Sequence, residues 1–223
     1  MRPGMLANIT APYTAGEAWA YDRFIAPAVM EFVDRLDLSP WQDVPAGARV
    51  LDVGCGGGQT VLEALSRRPD LRVTGLDLAW GQVERARRRA GSAGARFVRG
   101  SALDLPFASG SFDVVVSVAS IKHWPDPRRG LAECVRVLGP SGRLLVVEAD
   151  RSCRLEDAQE FVSRWRLPRL SRSVYLALFR TWVAGRSFDL DEARSLAADL
   201  PLVGLEVQRI PRTPALAITG RRS

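Results

Sequence analysis

A short apolar run, a glycine-rich turn and the opening of a helix follow one another at residues 50–65, and no other stretch constrains the chain as tightly. Val50, Leu51 and Val53 are strand formers. Gly54, Gly56 and Gly58 come next, and then Val61, Leu62 and Leu65 share one helical face. A strand, a tight turn and a helix in this order present bare backbone to a ligand at the end of a sheet. The spacing differs from the dinucleotide pattern G-x-G-x-x-G, because the third glycine falls one residue early and Gln59 occupies its place. Asp52 adds to the difference. A carboxylate two residues before the first glycine repels a pyrophosphate and suits an ammonium group, so the expected ligand has a nucleoside-like body and a cationic or zwitterionic tail.

Beyond the turn, strands and helices alternate. Strand patterns lie near 49–53, 72–76, 95–99, 112–118 and 142–149, and helical patterns near 58–68, 80–90 and 127–138. Such alternation predicts a parallel sheet with right-handed crossovers. An N-terminal helical pattern runs from Ala15 to Leu38, with Phe24, Ala28, Phe32 and Leu36 four apart and a division at Pro27. After the fifth strand the alternation stops. Residues 151–183 carry helical patterns broken at Pro168, with Leu155, Phe161, Trp165, Val174, Leu178, Phe179 and Trp182 as their apolar positions. These positions either pack on the sheet as core stripes or cover a substrate pocket. A helix near 189–199, capped by Asp189 or Asp191, and short strands near 203–210 and 214–220 close the chain.

Four motifs in fixed order give the chain a resemblance to the class I S-adenosylmethionine-dependent methyltransferases, closest to their small-molecule, quinone-type branch. They are Leu51-Asp-Val-Gly-Cys-Gly-Gly-Gly58; Val73-Thr-Gly-Leu-Asp77-Leu78; Gly100-Ser-Ala-Leu-Asp-Leu-Pro-Phe107 with Ser111-Phe-Asp-Val-Val-Val116; and Glu133 to Glu148. The resemblance covers roughly residues 20–150. It implies an α/β, Rossmann-like, doubly wound sheet of seven strands, mostly parallel, with an antiparallel last strand beside the fifth and helices on both faces. Residues 1–223 then form a single domain, with residues 1–40 as a helical cover and 151–186 as a helical insertion over the substrate pocket.

S-adenosyl-L-methionine is the cofactor that the resemblance implies, and it has the nucleoside body and charged tail that the turn suits. Its methionine part is expected on the backbone of Gly54, Cys55 and Gly56, near Asp52. Asp77, ending the second strand, is expected to accept the ribose hydroxyls, since a carboxylate offers two acceptor oxygens; Leu78 would pack on the adenine. The family's usual acid after strand three is replaced by Ser101, so the adenine contact passes to Ser101 or to the backbone of Ala102 and Leu103. Main-chain groups near Ser117 to Ala119 are expected to border the sulfonium and face the substrate. Trp19, Tyr21 and Arg23 stand where the family folds a helix over the cofactor, and Arg23 can meet the methionine carboxylate.

His123 is the only histidine, and an imidazole of ordinary pKa suits a general base near neutrality. It is the candidate catalytic residue, with a packing role as the alternative; Glu148 and Asp150 are rival bases. Cys55, Cys134 and Cys153 lack metal-type spacing, and no metal is expected. They fit a reducing cytoplasm. No apolar run reaches the length of a membrane span. The net charge of +6 comes from scattered arginines, Lys122 being the only lysine, and Arg85-Ala-Arg-Arg-Arg89 reads as a solvated helix end complementing the helix dipole. Such scatter implies neither nucleic acid nor an anionic membrane. The expected partner is a small acceptor, secondary-metabolite-like, sugar or lipid-linked, for a monomer or homodimer. The rival functions are an RNA or protein methyltransferase and a cofactor-binding regulator without turnover.

Overall fold

The structure, a computed structural model, describes Val29 and residues 41–165 and 172–223. Tyr21, Arg23, the break at Pro168 and, apart from Val29, the helical pattern over Ala15–Leu38 lie outside the described residues.

Seven strands form one sheet: β1 (Arg49–Val53), β2 (Arg72–Asp77), β3 (Arg96–Arg99), β4 (Phe112–Val118), β5 (Leu138–Ala149), β6 (Leu202–Arg209) and β7 (Ala215–Arg222). Their order is β3-β2-β1-β4-β5-β7-β6. The first five run parallel, and β7 is antiparallel to both β5 and β6. Helices α1 (Gln59–Arg67), α2 (Trp80–Ala90) and α3 (Pro127–Val137) fill the crossovers, and α6 (Leu190–Ala197) precedes β6.

Alternation along the strands divides the core into two faces. Val50, Val73, Val114 and Val116 point to one face, where they meet Val61 and Ala64 of α1 and Val83 and Ala86 of α2. Leu51, Val53, Val115 and Val146 point to the other, against Leu131 and Cys134 of α3 and Ala197 of α6. Each such side chain, taken wholly out of water, contributes roughly 1.5–3 kcal/mol.

The boundaries expected from sequence hold within a residue or two, except at β5. This strand starts at Leu138 and not near 142, directly after α3. Leu138 pairs with Phe112, a register shift comes before Val114 and Arg143 pair, and Ser141 takes a φ of 59°. The Gly-Pro-Ser-Gly sequence is therefore a distortion at the start of the strand and not a separate loop.

The insertion forms a third apolar cluster of its own. Helix α4 (Leu155–Ser163) and α5 (Arg172–Leu178), which continues as π-helix through Phe179–Ala184, enclose Ala158, Phe161, Val162, Trp165, Phe179 and Ala184. Ala149, at the end of β5, and Val29 pack against this cluster. The stripes expected from sequence thus divide. Phe161, Trp165 and Phe179 are buried, while Leu155, Val174, Leu178 and Trp182 are exposed. Asp189 caps α6 in a capping box with Glu192, which settles the choice between Asp189 and Asp191.

Candidate functional site

The order of the sheet reverses between β1 and β4, and the loops leaving their C-terminal ends meet there. Gly54 has a φ of +78°, and a Cβ on it would lie 1.8 Å from Ser120 Oγ in the turn after β4. Ser120 Oγ in turn accepts from Trp124 Nε1 at 3.1 Å. Gly54 is thus required twice, for its left-handed backbone and for the contact with Ser120. Gly54→Ala is expected to cost about 3 kcal/mol, combining backbone strain with overpacking. That corresponds to a fall in melting temperature of roughly 6–12 °C for a chain of this size. An unchanged thermal transition would contradict the contact.

Gly56 differs. Its φ is +51°, yet a Cβ there would meet nothing within 4 Å, so the turn opens on free space at this residue. Its amide donates to Asp77 Oδ2 at 2.9 Å, and the Ala79 amide donates to Asp77 Oδ1 at 2.8 Å. Asp77 therefore ties the glycine turn to the start of α2, leaving further lone pairs on both oxygens. Burial pushes its carboxyl up, against the pull of the Ala79 and Gly56 amides. Leu78 beside it is exposed.

Asp52 is buried, and neither of its carboxylate oxygens has a hydrogen-bond partner. Burial first, and then the charge of Asp77, raise its pKa to about 8. An orphaned buried carboxylate is costly and calls for an explanation. Cys55 is inert by comparison. Its thiol is buried and held well above the ordinary thiol range by burial, Asp52 and Asp77.

The remaining expected residues fare unevenly. Ser101 Oγ accepts from the Leu103 amide at 3.1 Å, so serine here bonds its own loop. Ala102 and Leu103 are partly buried in that loop. Glu133 and Arg136 of α3 fasten the stretch after it: the Leu105 amide donates to Glu133 Oε2, and Arg136 donates to the carbonyls of Leu105 and Phe107. The Ser117 side chain is fully buried and donates to the Val53 carbonyl at 2.8 Å, a link between β4 and β1. Only the main chain of this strand end is left to line the site. There Ala119 takes a φ of 53°, a strained value for a residue with a Cβ.

Both rival bases are engaged. Glu148 is buried and accepts from Lys122 Nζ at 2.7 Å, the Lys122 amide at 3.2 Å and the Ala149 amide at 2.8 Å. Asp150 is buried and accepts from Arg209 Nε at 2.6 Å and from the amide and hydroxyl of Ser152, both at 2.8 Å. Carboxylates so satisfied are anchors. Lys122 also donates to the carbonyl of Ala119 at 3.2 Å, holding the strained residue in place. The Lys122–Glu148 and Arg209–Asp150 pairs are long-range, and nothing local in the sequence signals them.

His123 lies in a 3₁₀ turn, Ile121–His123, between β4 and α3. The expectation of a base near neutrality needs correction. Burial, reinforced by Lys122 and Arg186 and opposed by Glu148, lowers its pKa to about 4. The arginine cluster of α2 also differs from a merely solvated end, since Arg87 donates to the Phe97 carbonyl and stacks over Trp80, and Arg89 donates to the Gly57 carbonyl. Among the described residues no group of three or more His, Cys, Asp or Glu is arranged to hold a metal, and no helix is long and apolar enough to cross a membrane.

Known proteins resemble this chain in sequence and in fold. Residues 51–146 match the methyltransferase-domain family. The chloroplastic 2-methyl-6-phytyl-1,4-hydroquinone methyltransferase 1 of Oryza sativa subsp. japonica is 39% identical over 123 residues, 55% of this chain and 37% of the relative. The 27-O-demethylrifamycin SV methyltransferase of Amycolatopsis mediterranei is 40% identical over 103 residues, 44% of this chain and 38% of the relative. The match thus spans well under half the length of these curated relatives. In fold, the chain is similar to a putative S-adenosyl-L-methionine-dependent methyltransferase from Methanococcus maripaludis, with a TM-score of 0.66 over 93% of this chain and 91% of that one at 15% identity. Through residues 51–146 the chain thus matches the methyltransferase-domain family, and its fold is similar to that of a methyltransferase.

Proposed function

We propose that this protein transfers a methyl group from S-adenosyl-L-methionine to a small-molecule acceptor. The observation that carries the reading is Asp52, a buried carboxylate with two unpartnered oxygens in the strand that leads into an open glycine turn. A ligand ammonium satisfies such a group, and the backbone at Gly56 has room for the ligand beside it. The residues present therefore fit the cofactor. Asp52 would face its ammonium, Gly54, Cys55 and Gly56 would carry its methionine part, Asp77 would accept from its ribose, and Leu78 would cover its base. Ser101, Ala102 and Leu103 border the base through main-chain groups.

When bound, the cofactor supplies an electrophilic methyl on a positively charged sulfur. The chain's own work is alignment. The strained Ala119 turn, held by Lys122 and Glu148, forms a rigid wall at the end of β4, and proximity and alignment can supply roughly 7–11 kcal/mol of the barrier. His123, neutral at physiological pH, stands where it can take the acceptor's proton. The insertion around Phe161, Trp165 and Phe179 closes the acceptor side. The rice and Amycolatopsis relatives carry acceptors in their names, a phytyl hydroquinone and a demethylrifamycin, both small molecules, and this supports the acceptor class.

Calorimetry is expected to show binding of S-adenosylmethionine and S-adenosylhomocysteine, and preferential binding of NAD would overturn the reading. A pooled-acceptor assay with labelled cofactor, with mass analysis of the methylated product, identifies the acceptor. Asp77→Ala is expected to weaken cofactor binding at least ten-fold, since hydrogen bonds to a charged group are worth on the order of 1.5–3 kcal/mol. The same change frees the Gly56 amide. An unchanged dissociation constant in a folded variant would remove Asp77 from the site.

A further inference from the structure

Helix α5 and its π-helical extension are apolar on more sides than the core covers. Tyr175, Leu176, Phe179, Val183 and Ala184 pack into the third cluster. Val174 and Trp182 are each 60% exposed, and Leu178 is 44% exposed. These three are four residues apart on one continuous helical run. In an α-helix a four-residue spacing drifts around the axis, and the wider π turn reverses that drift, so they form one stripe away from the core. A helix apolar all round is ordinarily buried all round. Here one apolar side is left over.

The net charge of the chain collects on the same segment. Between Glu160 and Asp189 the sequence holds six arginines and no acidic residue. Of the 31 basic residues these six leave 25, which the 25 acidic residues match one for one, so the whole net charge of +6 resides here. The scatter expected from sequence ends at this insertion. Arg166 and Arg169 lie outside the described residues, and Arg164 is paired with Glu160. Arg172, Arg180 and Arg186 are exposed and have no ion-pair partner among the described residues. Each stands within four residues of a member of the stripe. The Arg186 guanidinium lies 4.1 Å from the Trp182 ring centroid.

We propose that this face is a docking surface for an anionic lipid bilayer. Val174, Leu178 and Trp182 enter the boundary between headgroups and acyl chains, and Arg172, Arg180 and Arg186 meet the lipid phosphates. A contiguous exposed apolar stripe marks a contact with another apolar phase or face. Basic residues beside Trp and Leu on the outer side of a helix suit a charged membrane interface. A second copy is the poorer occupant, since a two-fold contact sets the same patch, with its like charges, against itself. An acidic polymer would engage the arginines and leave the stripe in water. Phe188 bridges to Asp150 just past β5, so the insertion projects from the C-terminal end of the parallel strands and meets the bilayer there. Docking of this kind does not depend on methyl-transfer chemistry.

The test is co-sedimentation of the full chain with vesicles of equimolar phosphatidylglycerol and phosphatidylcholine, and with vesicles of phosphatidylcholine alone. The mixed vesicles are expected to bind at least ten-fold more tightly, and to lose that advantage as salt is raised from about 0.05 to about 0.5 M. Leu178→Ser with Trp182→Ser is expected to weaken binding to the mixed vesicles at least ten-fold, and so is glutamine at Arg172, Arg180 and Arg186 together. Glutamine at Arg72, Arg88 and Arg96 removes the same charge elsewhere. All three are exposed, and Arg72 and Arg96 begin β2 and β3 at the far end of the parallel sheet. This control is expected to bind within three-fold of the parent. The melting temperature checks the fold and is expected to move by no more than about 3 °C, as for surface substitutions generally. The arginine variant keeps the test open if the serine variant unfolds. Equal losses in the two arginine variants would make the attraction a matter of net charge and overturn the proposal. So would binding that ignores the serine variant, or arginine-dependent binding to polyuridylate RNA without binding to the mixed vesicles. Titration of the same protein with S-adenosylhomocysteine reports on the methyltransferase reading separately.

Discussion

Asp52→Asn is expected to make the free protein more stable at alkaline pH and to cripple cofactor binding. The carboxyl is buried without a hydrogen-bond partner, and its pKa is pushed up to about 8 by burial and by Asp77. An unfolded aspartate ionises near pH 4. Between roughly pH 4 and 8 the folded chain therefore retains a proton that the unfolded chain has lost, and stability falls as pH rises through this window. At 1.36 kcal/mol per pKa unit the loss is on the order of 5 kcal/mol by pH 8. Asparagine has nearly the same shape and no such titration. The variant should melt roughly 10 °C above the parent at pH 8.5, with the gap closing towards pH 5. S-adenosylhomocysteine affinity should drop at least ten-fold, because the ammonium loses its counter-charge. Ligand binding to the parent near pH 7 should release a proton, visible as a calorimetric enthalpy that depends on the buffer. A variant with the parent's pH–stability curve and the parent's affinity would show that the carboxylate is neither strained by burial nor directed at a ligand.

This opposition between stability and binding explains why the glycine turn was the most legible part of the chain. A glycine run at the end of a strand, preceded by an acid, is a local pattern, and its chemistry depends on local geometry. The sheet was legible for a related reason. Val50 and Leu51 are neighbours in sequence but belong to opposite faces, and this alternation repeats in every central strand. What escaped sequence reasoning was long-range. Nothing near Glu148 announces Lys122, and nothing near Asp150 announces Arg209, so both acids read as free bases when they are anchors. Ser117 is expected from sequence to act through its main chain, and the sequence does not announce that its hydroxyl is spent on the Val53 carbonyl across the sheet. The insertion was legible as helices but not by face, since burial of Phe179 and exposure of Leu178 and Trp182 depend on how α4 packs against α5.

His123→Ala is expected to lower turnover by roughly 100-fold, at the lower end of what a positioned acid or base contributes. The imidazole's low pKa of about 4 does not disqualify it. A hydroxyl becomes strongly acidic as its oxygen forms the new bond to carbon, so even a weak base accepts the proton downhill at that stage. The low pKa also keeps the imidazole neutral, and thus ready, across the physiological range. Burial, Lys122 and Arg186 disfavour the imidazolium, while Glu148 favours it. The acid limb of the pH–rate profile should consequently lie near pH 4 and not near neutrality. Lys122→Met, which removes one of the opposing cations, should move that limb upward. S-adenosylhomocysteine affinity of His123→Ala should remain within three-fold of the parent, because the imidazole serves the acceptor. Stability supplies an independent check. The folded pKa lies below the unfolded value of about 6.5, so the parent loses stability as pH falls from 6.5 towards 4, and His123→Ala should lose less over that interval. Turnover within a few-fold of the parent would leave alignment as the whole of the catalysis and His123 as a packing residue.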